Sequence, residues 1–168
     1  RDGRFMNGEE VKGSPELFLG AAANPFADPF EMQVVRLAKK AEAGADFIQT
    51  QCIFDMPRFR EFMKQAADRG LDKKLFILAG VLPLKTAGMA NYMNKNVPGI
   101  TIPDEIVKRM AGTPKEKQAD EGIKIAIEQI QELRSVPGVA GVHIMAIEWE
   151  HRVREIVEAA GLLPRPVI

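Results

Sequence analysis

The stretch GADFIQTQCIFD, residues 44–55, decides how the chain is read. From Phe47 to Phe54 it has the apolar character of a buried strand, yet it places two glutamines, Gln49 and Gln51, near the strand's end. Burying a side-chain amide without a partner costs about 1–3 kcal/mol in proteins. Either these amides are paired within the fold, or at least one of them points at a ligand. Side chains alternate along a strand, so Phe47, Gln49 and Gln51 share one side while Ile48, Thr50 and Cys52 share the other. If the second side packs on helices, the first faces a lumen. An amide there can both donate to and accept from the edge of a heteroaromatic ring. The competing reading pairs the two glutamines with polar neighbours in the core.

The same order of strand then helix recurs on both sides of this stretch. Upstream, ELFLGAAAN (residues 16–24) is a short apolar run that stops at Asn24-Pro25. A helix then opens with Asp28 as its cap, Pro29 in the first turn and Glu31 at a capping-box spacing. It carries Phe30, Val34, Leu37 and Ala41 on one face, keeps Arg36, Lys39 and Lys40 off that face, and stops at Gly44. Downstream, Phe59, Phe62, Met63 and Ala66 mark a helix ending at Gly70. LFILAGVL (residues 75–82) is apolar on both faces, as a parallel strand covered on both sides requires. Helical stretches follow near residues 86–95, after Pro103, and after a Thr113-Pro114 cap, the last with a buried stripe of Ile123, Ala126, Ile127 and Ile130. VAGVHIMAI (residues 139–147) makes a fourth strand, and Val153, Ile156, Val157 and Ala160 give a closing helix.

Four β-α units in series imply an α/β fold with a parallel sheet. An open doubly wound sheet would normally carry a glycine-rich phosphate loop, and neither GxGxxG nor GxxxxGK[ST] occurs. The expected fold is therefore a parallel (β/α)8 TIM barrel, of which this chain supplies about four β-α units. Half a barrel leaves two edge strands unpaired. The opening Arg1, where an initiator methionine would stand, also suggests a piece of a longer protein.

The 168 residues are 46% hydrophobic and 27% charged, enough to bury a core. Lysine plus arginine and aspartate plus glutamate number 23 each, a balance that argues against nucleic acid or an anionic membrane as partner. No apolar run has the length of a bilayer span and RDGRFMNGEE is no signal peptide, so a cytoplasmic location is expected. With Cys52 alone and only His143 and His151 beside it, neither an intrachain disulfide nor a zinc-type ligand set is expected.

Chemistry in such a barrel sits at the carboxyl ends of the strands. Those positions hold Asn24, Gln51, Lys85 and the pair Glu148-Trp149. Each also has a plain structural reading as a turn residue or a solvated strand end. The cluster Arg36, Lys39 and Lys40 could face a pyrophosphate or simply water. Alternation turns Cys52 away from Gln51, which makes it a small core residue, and His143 inside an apolar strand reads as a satisfied core histidine. An aldolase would want a lysine inside a strand, and none of the four has one.

The segment NPFADPFEMQVVRLAKKAEAGADFIQTQCIFD, with AGVLPLKTAGM, VPGITIPDEIVKRM and GVHIMAIEW after it, resembles the methylenetetrahydrofolate reductase family in order and spacing. The resemblance implies a flavin-dependent barrel that reduces 5,10-methylenetetrahydrofolate to 5-methyltetrahydrofolate, with FAD as cofactor and folate or a methanopterin relative as substrate. The family's strand-end glutamine, which contacts the pterin, matches Gln51. Its FAD-contacting positions match Asn24, Asp28, Gln33, Arg36, Lys39 and Lys40. Met89 and Trp149 stand where the best-known branch has a second glutamine and an arginine, and IQTQ and HIMAIEWE are closer to the branch of anaerobic one-carbon pathways, which leaves the electron donor open. The family's catalytic acid belongs to the other half, so no catalytic residue is expected here. Residues 1–15 are expected to end a preceding helix and link it to residues 16–168, the carboxyl-terminal half of the barrel, strands five to eight. Its partner would be the amino-terminal half or a partner subunit, in an oligomer. The alternative is a non-catalytic half-barrel that pairs with a partner chain.

Overall fold

Each strand of the chain is followed by at least one helix, and the strands lie side by side in chain order. The computed structural model describes residues 3–13 and 16–164. Strands β1 (Gly20–Ala23), β2 (Phe47–Cys52), β3 (Phe76–Val81) and β4 (Val139–Ile144) form one sheet in the order β1-β2-β3-β4, every pair parallel. Between and after them run α1 (Phe30–Glu42), α2 (Met56–Asp68), α3 (Ala87–Asn96), α4 (Asp104–Gly112), α5 (Gln118–Leu133) and α6 (Val153–Ala159). The order never reverses. Successive right-handed crossovers in one direction put the helices on one side of the sheet and leave the other side bare.

Burial follows this asymmetry. Ile48, Ile77, Ala79 and Val81 on the helix side are fully buried, packed with Val34 and Leu37 of α1, Phe59, Phe62 and Met63 of α2, Ile123, Ala126 and Ile130 of α5 and Ile156 of α6. A second cluster at the carboxyl end joins Cys52, Phe54, Leu82 and Leu84 to Ala90 and Met93 of α3 and Met110 of α4. Arg109 clamps α4 to α5 through Glu121 and Glu128. The expectation that residues 75–82 are covered on both faces is met on the helix side only. Phe76, at the start of β3, is 58% exposed, and it forms a ring cluster with Phe18 and Phe47 at the amino end of the bare face. Gly20 makes this possible, because a β-carbon there would collide with the tip of the Phe47 ring.

Three local expectations are corrected. Residues 3–13 form no helix: they make a turn closed by an Arg4–Glu10 bridge, with Gly3, Gly8 and Gly13 at positive φ, which a helix interior does not accommodate; residues 1, 2, 14 and 15 lie outside the described residues. Asp28 does not cap α1. The extended Pro29 occupies the cap position, which holds Asp28 one residue too far from the first turn, and its carboxylate accepts from Arg58 instead. Thr113 ends α4 rather than opening α5; its hydroxyl donates to the Arg109 carbonyl, and a short turn over 115–117 intervenes.

The pairing of β2 with β3 has one irregularity. Gln49 lies opposite Leu78 and Cys52 opposite Gly80, so β2 holds an extra residue in a bulge at Thr50-Gln51. Gly80 permits it: a β-carbon at this position would sit 2.5 Å from the Thr50 carbonyl oxygen and 2.8 Å from that of Gln51. Thr50 repairs the broken ladder. Its buried hydroxyl accepts from the Gly80 N–H at 2.9 Å and donates to the Gln51 carbonyl at 2.9 Å. Thr50→Val keeps the shape and strands both backbone groups, which should lower stability by about 1–3 kcal/mol. A urea midpoint equal to that of the parent protein, at unchanged slope, would contradict this account of the bulge.

Candidate functional site

At the carboxyl side of the bare face lies a cavity of about 570 Å³, within the range of small-ligand sites. Its wall is built from three directions. Strands β1 and β2 bring Ala22, Gln49 and Gln51, with Asn24 just beyond β1; α1 brings Gln33, Arg36 and Lys40; β4 brings His143, with Met145 just beyond it.

Gln51 is oriented by the bulge. Its Oε1 accepts from the Cys52 N–H at 3.1 Å and lies 3.5 Å from the Cys52 sulfur. Because an N–H must meet an oxygen, this bond fixes which way the amide is turned. The amino group forms no hydrogen bond among the described residues and is left to the cavity. The simple alternation that sends Cys52 away from Gln51 therefore holds for the packing of the sulfur but misses this local contact. Gln49 also lines the cavity, without a hydrogen bond among the described residues, so the reading that pairs the two glutamines in the core is not what is seen.

The residues of α1 divide into two sets. Gln33, Arg36 and Lys40, three and four positions apart, share the face that looks along the free edge of β1. Gln33 is buried and donates from its amide nitrogen to the Pro29 carbonyl at 3.1 Å. Arg36 forms no ion pair among the described residues. The Lys40 ammonium donates to the Ala22 carbonyl, on the edge of β1 that no strand pairs with among the described residues. Lys39 lies outside the cavity wall because one residue turns the helix by about 100°. Asp28 is outside it too, since its carboxylate is held by Arg58, whose guanidinium also donates to the Phe26 carbonyl and lies over the Phe30 ring. Asn24 serves two purposes: its Oδ1 accepts from the Phe26 N–H in a turn, and the side chain lines the cavity. Lys85 and Trp149 meet elsewhere, with Lys85 and Arg152 each 5.5 Å from the Trp149 ring, beside Glu148 at φ 52°. Met89 accepts from the Lys85 N–H through its sulfur.

Residues 10–161 match the family model for methylenetetrahydrofolate reductase. The chain belongs to the methylenetetrahydrofolate reductase family. It is similar to methylenetetrahydrofolate reductase 2 of Schizosaccharomyces pombe, with 29% identity over 139 residues, 77% of this chain and 21% of that protein. With methylenetetrahydrofolate reductase 2 of Saccharomyces cerevisiae it shares 26% identity over 155 residues, 87% of this chain and 25% of the relative. The probable methylenetetrahydrofolate reductase (NADPH) of Caenorhabditis elegans is 23% identical over 150 residues, 86% of this chain and 22% of the relative. The chain thus spans only a fifth to a quarter of the length of these family members. Among solved structures it is similar to an uncharacterized protein from Clostridium thermocellum that binds two copies of 5-methyl-5,6,7,8-tetrahydrofolic acid. The TM-score is 0.60 at 15% identity, over 86% of this chain and 52% of that one, a likeness of fold. No helix among the described residues is long and apolar enough to cross a membrane, and no group of three or more His, Cys, Asp or Glu among them could hold a metal ion.

One residue of this family chain escaped the reading of its sequence. His143 is not a satisfied core histidine: it lines the cavity, and its Nδ1 is buried without a partner among the described residues. Orphaned buried N–H groups are rarer than under-satisfied acceptors. A hydrogen on Nδ1 would meet no acceptor there, which leaves Nε2 as the nitrogen able to donate. The apolar run VAGVHIMAI concealed this, and the signal that could have revealed it was parity, since His143 sits opposite Gly80 on the bare face.

Cys52 has the opposite character. Burial pushes its thiol up to about 11, while its own backbone hydrogen bond works the other way. The thiolate is the reactive form, so this thiol should be inert at neutral pH. Iodoacetamide should label Cys52 only after denaturation, as read by intact mass; fast stoichiometric labelling of the folded protein would contradict its placement.

Proposed function

We propose that this chain is the carboxyl-terminal half of a (β/α)8 barrel, strands five to eight, in a flavin-dependent reductase that converts 5,10-methylenetetrahydrofolate to 5-methyltetrahydrofolate by hydride transfer from reduced FAD. One observation carries the reading. In a chain of this family, Gln51 turns its amino group onto a cavity at the carboxyl end of a parallel sheet, where a planar heterocycle has room. A sheet in chain order, bare on one face and open at β1 and β4, supports a partner half that closes the cylinder. The folate bound by the Clostridium thermocellum neighbour, of which this chain covers 52%, supports the substrate class.

The α1 side of the cavity fits a diphosphate-bearing dinucleotide. Arg36 offers a guanidinium without an ion pair among the described residues, suited to phosphate oxygens, and Asn24, Gln33 and Lys40 stand beside it. Lys40 acts there chiefly through charge, because its ammonium already donates to Ala22. Asp28 and Lys39, matched to flavin contacts by resemblance, carry less of the reading, since they lie outside the wall. When bound, FAD supplies the hydride; the protein supplies position and electrostatics. Gln51 donates to the pterin edge and holds its plane at the mouth of the barrel. A folate and a methanopterin present that edge alike. Proton donation falls to the partner half, where the family keeps its catalytic acid.

A second reading, a non-catalytic half-barrel that docks on a partner chain, is favoured by the 63% exposed Phe18, by Phe76 and by the two open strands. The two readings separate in the full gene product. Loaded with FAD, it should lose its oxidised flavin spectrum when 5-methyltetrahydrofolate is added, and Gln51→Ala should weaken folate affinity about tenfold with the starting spectrum intact. Equal affinity in variant and parent would remove Gln51 from the site, and a product that binds neither flavin nor folate would favour the docking module.

A further inference from the structure

We propose that His143 is a second ligand-recognising residue, donating from Nε2 to the same planar heterocycle that Gln51 addresses; the inference rests on the reading of this cavity as a pterin and flavin site. His143 lines the cavity from β4, while Gln51 lines it from β2. Between them on β3 stands Gly80, partner of His143 in the register and without a side chain to separate the two. Of the two imidazole nitrogens, Nδ1 is sealed off and unpartnered among the described residues. Nε2 is therefore the nitrogen that reaches the cavity, and it forms no hydrogen bond among the described residues. Gln51 has spent its oxygen on the Cys52 N–H and presents its amino group.

Both polar groups are thus donors. A pair of donors on one wall selects an edge rich in acceptors, such as a ring carbonyl beside an unprotonated ring nitrogen. An oxidised isoalloxazine ring carries such an edge at N1 and the C2 carbonyl, and a tetrahydropterin, whose N3 is protonated, offers its C4 carbonyl. The pairing also explains why an imidazole is placed in an otherwise apolar strand: leucine there would fill the same space and leave the ligand's acceptor unmet.

The test uses the full gene product, titrated separately with 5-methyltetrahydrofolate and with FAD. Glutamine can place an N–H where Nε2 stands, whereas asparagine places one near Nδ1. His143→Ala and His143→Asn should weaken one of the two ligands about tenfold, His143→Gln should stay within about threefold of the parent, and thermal unfolding should be the same for all. The ligand affected identifies the ring that His143 meets. Equal affinities for both ligands in every variant, or equal loss in the asparagine and glutamine variants, would overturn the proposal. Gln51→Ala in the same titrations keeps the two claims apart. If it loses folate affinity while the His143 variants do not, the inference fails alone; if the parent binds neither ligand, the reading of the site fails and takes the inference with it.

Discussion

The close approach of β2 to β3 at Gly80 is the constraint on which the site depends. Only a residue without a β-carbon lets the two backbones come so near, and the extra residue of β2 has nowhere else to go. From that contact the consequences run in order: Thr50 turns inward to bridge the gap, Gln51 is rotated over it, and the Gln51 oxygen falls on the Cys52 N–H. Each bond is a modest one, on the order of 1 kcal/mol. Their value lies in orientation, because together they leave one polar end of one amide facing the cavity.

The second constraint is the one-sidedness of the sheet. All the large side chains that pack α1, α2, α5 and α6 come from one face, and the opposite face carries aromatic rings at its amino end and polar groups at its carboxyl end. Along the strands the bare face therefore changes from apolar at the amino end to chemically differentiated at the carboxyl end. The free edge of β1 is managed locally. Lys40 reaches back along α1 to meet the Ala22 carbonyl, which would otherwise lack a partner.

Much of this was legible in the residues. The alternation in FIQTQC correctly separates the buried Ile48, Thr50 and Cys52 from the more open Phe47, Gln49 and Gln51, because period-two patterning is a property of the strand itself. Helix faces were legible for the same reason: Val34 and Leu37, or Phe59, Phe62 and Met63, fall on one side whatever they pack against. What was missed depends on partners distant in sequence. Asp28 is held one residue short of the first turn by the extended Pro29, and its carboxylate meets Arg58, thirty positions on. The bulge cannot be read from β2 alone, since it exists by virtue of Gly80 on another strand. His143 was hidden by its apolar neighbours, and only the register with Gly80 shows which way it faces. The split of Arg36 and Lys40 from Lys39 follows from helical geometry, but it becomes visible only once the β1 edge is in place.

The tether between Gln51 and Cys52 has a consequence for how discrimination could change in related chains. A carboxylate at position 51 would satisfy the Cys52 N–H equally well, so the strand would fold unaltered. The second oxygen, however, would replace the amino group at the cavity and ask for hydrogens instead of lone pairs. Swapping a single nitrogen for oxygen would thereby invert the polarity of recognition without disturbing the scaffold, which makes this position a natural point of divergence between chains that share the fold and differ in what they hold.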